Sequence, residues 1–400
     1  MSEEKLVPKL RFSGFNDIWK KVNLGEISKI GKGFTPSTSN PSFWDGELYW
    51  LSIADMNQGK YIKQTSKKIS LEGSKNKDPI EKGTLLMSFK LSLGKLGILT
   101  KDMYTNEAIC NFKWKNNNIS TEYMYYYLSS INIMKYGSQA AKGITLNNET
   151  LNTIPVILPN FDEQNKISNF LSKIDKKIEL LEKKHQAYED FKKYLMQQIF
   201  TQKLRFDFNE EWQEIQLKDI GTFYRGHSYN STNVVEEGLL VLRSNNIKNN
   251  NLDFSLSELQ FVNKDCKDHL ALQKNDIVIC MSNGTRKLVG KSAQYMGNYN
   301  NKLTVGAFCS IFRTKNKLAK YLFQTEHYKR NLYLILAGTN INNLKNSDLE
   351  KFKFNIPTNK MEINKIYNLF NALDKKIDFN KNKLDEILLF KKGLLQQMFV

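Results

Sequence analysis

Between Gln164 and Phe200 the apolar residues fall at Ile167, Leu171, Ile174, Ile178, Leu181, Tyr188, Leu195 and Ile199. Steps of three and four, held for about five heptads, are the rhythm of a helix with a single apolar seam. The rhythm returns between Ile363 and Phe399, with Ile366, Phe370, Leu373, Ile377, Leu384, Ile387, Leu394 and Met398. Neither stretch contains Pro and the only Gly is Gly393, so the spacing predicts two long helices. A ~33-residue seam spans roughly 50 Å at 1.5 Å per residue, the dimension of a spacer. The stretches align without a gap at an offset of 199, with 16 of 37 positions identical.

Packing asks only that the seam be apolar. It does not account for the off-seam repeats: Asp175-Lys176-Lys177 with Asp374-Lys375-Lys376, and Gln197-Gln198 with Gln396-Gln397. A solvated face is the ordinary reading of such residues on one helix. The same pattern at two places favours two equivalent docking surfaces for partners. His185 and Asn380 interrupt the two seams and are read as register-setting polar positions.

Ahead of each helix the pattern changes to short apolar runs separated by turn signals, which predicts a mixed domain. Arg11-Phe12 through Trp19, Leu24, Ile27 and Gly33 corresponds to Arg205-Phe206 through Trp212, Leu217, Ile220 and Gly226. Leu48–Ile53 and Leu239–Leu242 read as strands, as do the runs opening at Leu85 and Ile277. Ala108-Ile109-Cys110 is matched to Ala307-Phe308-Cys309. The expected fold is α+β: two tandem mixed α/β domains and two long helices in a pseudo-two-fold internal repeat. The boundaries are 1–160 and 204–357 for the domains, 161–203 and 358–400 for the helices.

Composition adds a polyanion. The 400 residues carry 59 Lys and Arg against 41 Asp and Glu, a net charge of +18, the electrostatic footprint of a nucleic-acid binder. No apolar core follows the charged start and no run reaches ~18 apolar residues, so the chain is expected to be cytoplasmic, without a membrane partner. Four cysteines without a Cys-x-x-Cys spacing and four scattered histidines support neither a metal site nor a disulfide framework. Asn40-Pro41-Ser42-Phe43 approaches an amino-methyltransferase motif but lacks its second Pro, and no Gly-rich loop follows a strand; a turn is the better reading. No phosphate loop or Ser/His/Asp arrangement is present, and Asp348 with Glu350-Lys351 lacks the Pro-Asp of a nuclease site. The chain is therefore expected to be non-catalytic, with no cofactor of its own.

On duplex DNA, loop lysines would meet phosphates, while Arg, Asn and Gln have the donors and acceptors to read base edges. The candidates are Lys32, Asn57, Gln58, Lys90, Ser92 and Lys95 in the first domain. In the second they are Arg225, Arg243, Asn245, Asn246, Asn283, Arg286 and Lys287.

Several signals jointly resemble the DNA specificity subunits of type I restriction–modification systems. They are the duplicated domain-plus-helix layout, Leu158-Pro159 then Glu163-Gln164 at the first helix, and the phrase from Phe170 to Ile178. Leu-x-Gln-Gln-x-Phe closing both helices and the opening from Pro8 to Trp19 complete the set. The resemblance implies that each mixed domain is a target recognition domain reading one half of a split, asymmetric DNA sequence. It implies that the helices pair as an antiparallel coiled coil that fixes the unread gap. Two modification subunits would dock there and methylate adenine with S-adenosylmethionine, and restriction subunits would add ATP- and Mg-dependent translocation and cleavage. Docking is assigned to Asp175, Lys176, Lys177, Gln197 and Gln198, and to Asp374, Lys375, Lys376, Gln396 and Gln397. The second copy departs at Met361, Ile363 and Gly393, which points to a weaker second docking face. Two other readings stay open: a stand-alone adenine methyltransferase with a degenerate motif, and a coiled-coil nucleic-acid-binding adaptor.

Overall fold

The computed structural model describes residues 6–90, 92–140, 143–338 and 342–400. The chain divides into two compact units, one of Met1–Lys183 with Lys381–Val400, the other of Lys184–Asn380. Both long helices form, as Phe161–Phe200 and Lys360–Met398. Each contributes one part to each unit. Their seam residues also complete the domain cores.

In the first unit a five-stranded sheet runs Ser28–Lys32, Ile109–Trp114, Leu85–Ser88, Leu96–Leu99, Tyr61–Ile62. A three-stranded sheet runs Lys67–Ile69, Leu48–Leu51, Tyr104–Thr105, its second pair parallel. Lys20–Asn23 pairs antiparallel with Pro155–Leu158, bringing the domain's start beside its end. The strand opening at Leu85 lacks polar alternation because both its faces are covered. Leu85 and Met87 enter one core and Leu86 enters another.

The second unit repeats this plan. Gly221–Arg225, Cys309–Thr314, Ile277–Cys280 and Ser292–Gln294 form a four-stranded sheet. A second sheet of four contains Phe261–Val262, Leu239–Leu242 and Leu303–Val305, and Gln213–Gln216 pairs with Lys353–Ile356. Ile277 and Ile279 again enter one core, Val278 and Cys280 the other.

The repeat is shifted by one residue at the Ala-x-Cys correspondence. Gly33 N–H donates to the Ile109 carbonyl at 3.1 Å, and Gly226 N–H to that of Cys309 at 3.0 Å. Ile109 is thus equivalent to Cys309, and Ala108 to Phe308. One residue gained between strands is absorbed in a turn, which apolar matching by residue type does not detect. Both glycines are required: a Cβ on Gly33 would lie 2.0 Å from the Thr105 carbonyl oxygen, and one on Gly226 2.1 Å from that of Gly306.

In the first unit, Ile167, Leu171, Ile174 and Ile178 from the start of one long helix share a core with Leu394, Met398 and Phe399 from the end of the other. In the second, Leu195, Met196 and Ile199 pack with Ile366, Phe370 and Leu373. Within each unit a helix start therefore meets a helix end, the arrangement of an antiparallel pair. Asn380 is buried in its seam.

Candidate nucleic-acid interface and helix anchors

Two anchors join each domain to its helices, and both occur twice. Asn160 and Asn359 cap the helix starts, each accepting the N–H three residues on, from Glu163 at 2.9 Å and Glu362 at 3.3 Å. The cap amides reach back to acids of the opening segments, Asn160 to Asp17 at 2.9 Å and Asn359 to Glu210 at 2.6 Å. The fully buried Glu163 accepts from Arg11 Nε at 2.7 Å, Arg11 Nη2 at 2.8 Å and Trp19 Nε1 at 3.2 Å. Glu362 repeats this with Arg205 Nε at 2.8 Å, Arg205 Nη2 at 3.0 Å and Trp212 Nε1 at 3.1 Å. These residues stood in the repeated Arg-Phe…Trp opening and in the shared Glu of the helix starts. Their pairing across about 150 positions had no signal in the sequence.

The second anchor corrects part of the docking assignment. Asp175 accepts from Tyr126 Oη at 2.6 Å and pairs with Lys391 at 2.6 Å. Asp374 accepts from Tyr321 Oη at 3.0 Å and pairs with Lys192 at 2.7 Å and Lys320 at 3.1 Å. Burial would raise the Asp374 carboxyl, but the two lysines outweigh it and hold it below its ordinary value. Lys60 joins the first anchor, donating to Tyr126 Oη at 3.1 Å and Ser172 Oγ at 2.8 Å; burial pulls its ammonium below the usual lysine range. The Asp of each Asp-Lys-Lys triplet thus pairs with a Lys of the other helix's Lys-Lys, and intramolecular pairing accounts for the two Asp residues of the repeated polar pattern.

Lys176, Lys177, Gln197, Lys375, Lys376, Gln396 and Gln397 are exposed, and Gln198 partly so. Beside them lie large apolar residues at matched positions: Leu180 is 57% and Phe379 60% exposed, Phe191 49% and Phe390 55%. They fall off the seam, so a search for the seam period passes over them.

The candidate readers form one loop cluster in each domain. In the first, Lys95 Nζ donates to Asn57 Oδ1 at 2.8 Å, tying the segment after Leu48–Leu51 to the turn after Leu85–Ser88. Ser88 shapes that turn through bonds from Lys95 N–H and Gly94 N–H, leaving Lys90 and Ser92 exposed. Lys32 is exposed at the end of its strand. Gln58 is a brace and not a reader: it donates to the Asp55 and Gln64 carbonyls and accepts from Lys63 and Gln64 N–H, which uses its amide fully.

In the second domain Asn283 Nδ2 donates to Ser244 Oγ at 3.2 Å, the equivalent tie. Arg225, Arg286 and Lys287 are exposed around it, and Arg286 Nε contacts Asn342 Oδ1 at 3.3 Å. Asn246 is a correction: it is buried, accepts from Arg243 N–H at 2.8 Å and donates to the Asp253 and Glu258 carbonyls. Arg243 and Asn245 are half-buried and engaged with Glu258. These three build the loop that presents the others.

Asn40 accepts from Ser42 N–H and Oγ and caps the short helix Pro41–Trp44, so the methyltransferase-like stretch is a capped turn. Among the described residues no cluster of His, Cys, Asp and Glu could hold a metal ion, and no helix is long and apolar enough to cross a membrane.

The profile of the family described as "Type I restriction modification DNA specificity domain" matches residues 16–189 and 209–389. The MjaVIII specificity subunit of Methanocaldococcus jannaschii is 23% identical over 410 residues, covering 94% of this chain and 91% of that one. The MjaIX specificity subunit of the same organism is 27% identical over 224 residues; this match spans about half of either chain, 50% and 51%. A solved S subunit from M. genitalium shares the fold, with a TM-score of 0.64 at 16% identity over 99% of both chains.

Proposed function

Because the chain belongs to the type I restriction–modification DNA specificity family, we propose that its two domains each read one half of a split duplex target. It is the non-catalytic, sequence-reading member of a type I assembly, and its relatives carry the name specificity subunit. The observation that supports this most is the duplicated loop cluster. In both units the same two loops are tied by a side-chain hydrogen bond, Lys95 to Asn57 and Asn283 to Ser244, with basic residues exposed around them. Loops held in this way by a rigid scaffold present side chains to a groove with little ordering cost. The net charge of +18 supplies phosphate attraction that carries no sequence information.

Two modification subunits dock on the helices, at Lys176, Lys177 and Leu180 on one and Lys375, Lys376 and Phe379 on the other. Restriction subunits join that core. S-adenosylmethionine, ATP and Mg belong to those partners. The repeated occurrence of an exposed apolar residue beside two lysines, once on each helix, supports a pair of identical partners.

Mapping of methylated adenines in the host, with and without this gene, tests the reading. Deletion is expected to abolish one split motif, and replacing residues 205–357 with another reader to alter one half of it. Methylation unchanged by deletion, in cells shown to express the assembly, would overturn the assignment.

A further inference from the structure

Phe308 is 69% exposed, the most exposed phenylalanine among the described residues. Its equivalent in the first domain is Ala108, which is buried. A single exposed apolar residue ordinarily needs no explanation; the backbone around this one sets it apart. The turn Gly306–Cys309 is closed by Cys309 N–H on the Gly306 carbonyl at 2.8 Å, and Gly306 N–H bonds the Leu242 carbonyl at 2.8 Å. The Phe308 carbonyl accepts from Met281 N–H at 2.8 Å and Ser282 N–H at 3.2 Å, one residue before Asn283. On the other side Gly226 N–H and His227 N–H bond the Cys309 and Val305 carbonyls, one and two residues after Arg225. The ring therefore stands on a turn fixed by six backbone hydrogen bonds, where the Arg225, Arg243–Asn246 and Asn283–Lys287 segments meet.

Resting on the recognition reading above, we propose that Phe308 is a wedge that enters a base step of the half-site read by the second domain. An apolar side chain pushed between stacked bases partly unstacks them and kinks the duplex. The energy of that deformation depends on the step and is lowest at pyrimidine–purine steps. Phe308 therefore selects sequence at a position no hydrogen bond reads. The first domain, with Ala108 at the same place, reads its half-site without a wedge. The residue forms no bond to phosphate, so its contribution is independent of salt.

The test uses the full chain purified with its partner subunits, on a duplex carrying the motif found by methylation mapping. 2-Aminopurine is placed in turn through each half-site. Apart from the adenine that each modification subunit extrudes for methylation, the unaltered chain is expected to raise fluorescence at one further step, in the half-site that changes when residues 205–357 are replaced, and at no further step in the other. Phe308→Ala should abolish that rise and weaken binding about 10- to 100-fold, the range for losing one aromatic–base stack, with the salt slope unchanged. Phe308→Trp should keep both. The exposed position leaves the melting temperature of both variants unaltered, which serves as the folding control. Cognate discrimination by the unaltered chain, with Phe308→Ala binding within about twofold and giving the same fluorescence, would overturn the wedge alone. Equal binding of motif and scrambled duplex by the unaltered chain would overturn the recognition reading and the wedge with it.

Discussion

Glu163→Ala removes the carboxylate on which the first anchor converges. Glu163 is fully buried and takes three hydrogen bonds, two from Arg11 and one from Trp19, whose residue is 1% exposed. An indole N–H left buried without an acceptor costs about 1–3 kcal/mol. Breaking a buried ion pair from one side costs about 3–5 kcal/mol when the remaining charge stays enclosed. The Arg11 side chain is 13% exposed, so water recovers part of its loss. The total expected is about 3 kcal/mol, a fall of roughly 6–12 °C in the melting of a unit this size. Hydrogen exchange should localise the loss to the first unit, at the strand pair Lys20–Asn23 with Pro155–Leu158 and the start of the first long helix. Arg11→Met with Glu163→Met should be more stable than Glu163→Ala, because no uncompensated charge remains. A loss under about 0.5 kcal/mol, or a double variant no better than the single, would refute the anchor's energetic role.

Three other outcomes follow from the same geometry. Asp374 is held below its ordinary 3.8 by Lys192 and Lys320, so its stabilisation is complete above that value and drains as pH falls through the lowered one. Melting of the second unit below about pH 4 should show this loss and Asp374→Asn should flatten it; an unchanged acid limb would contradict the pairing. Leu180→Glu and Phe379→Glu should each cost one modification subunit and together both, read as stoichiometry by native mass spectrometry. Full stoichiometry in the double variant would move the docking faces elsewhere. Asn246→Ala should destabilise the second unit by about 1–3 kcal/mol without changing the salt slope of DNA binding, whereas Arg286→Ala should reduce that slope by about one phosphate. A changed slope for Asn246→Ala would return it to the reading surface.

The helices and the duplicated plan were legible because each rests on a local pattern. The seam is a period of apolar residues, and the repeat is a correspondence of letters at fixed offset. What failed was whatever depends on which polar side chain finds which partner. Asp175 and Asn246 look like Lys176 and Asn57 in the sequence, yet the first pair is consumed by Lys391, Tyr126 and backbone groups while the second remains at the surface. A cap such as Asn246 carries a weak local signal, the Arg-Ser-Asn-Asn turn after a strand. The Asp175 pairing carries none, because its partner lies more than 200 residues on. The offset by which Phe308 was paired with the buried Ile109 failed through one inserted residue, which hid an exposed aromatic among strand residues.

The discontinuity of the first unit has a consequence for biosynthesis. Leu394, Met398 and Phe399, which complete its core, are translated after the whole of the second unit, a stretch of 197 residues. At roughly 5–20 residues per second this is a wait of about 10–40 s. During that interval Ile167, Leu171 and the surrounding aromatic residues of the nascent first domain have no cover from the second helix. The second unit has no such delay of its own, since the helix residues of its core, from Leu195 to Ile199 and from Ile366 to Leu373, lie within the continuous stretch Lys184–Asn380. The ribosome therefore delivers the domains in one order and the fold closes them in the other. A stop codon after Asn380 would spare the later domain and leave the earlier one open.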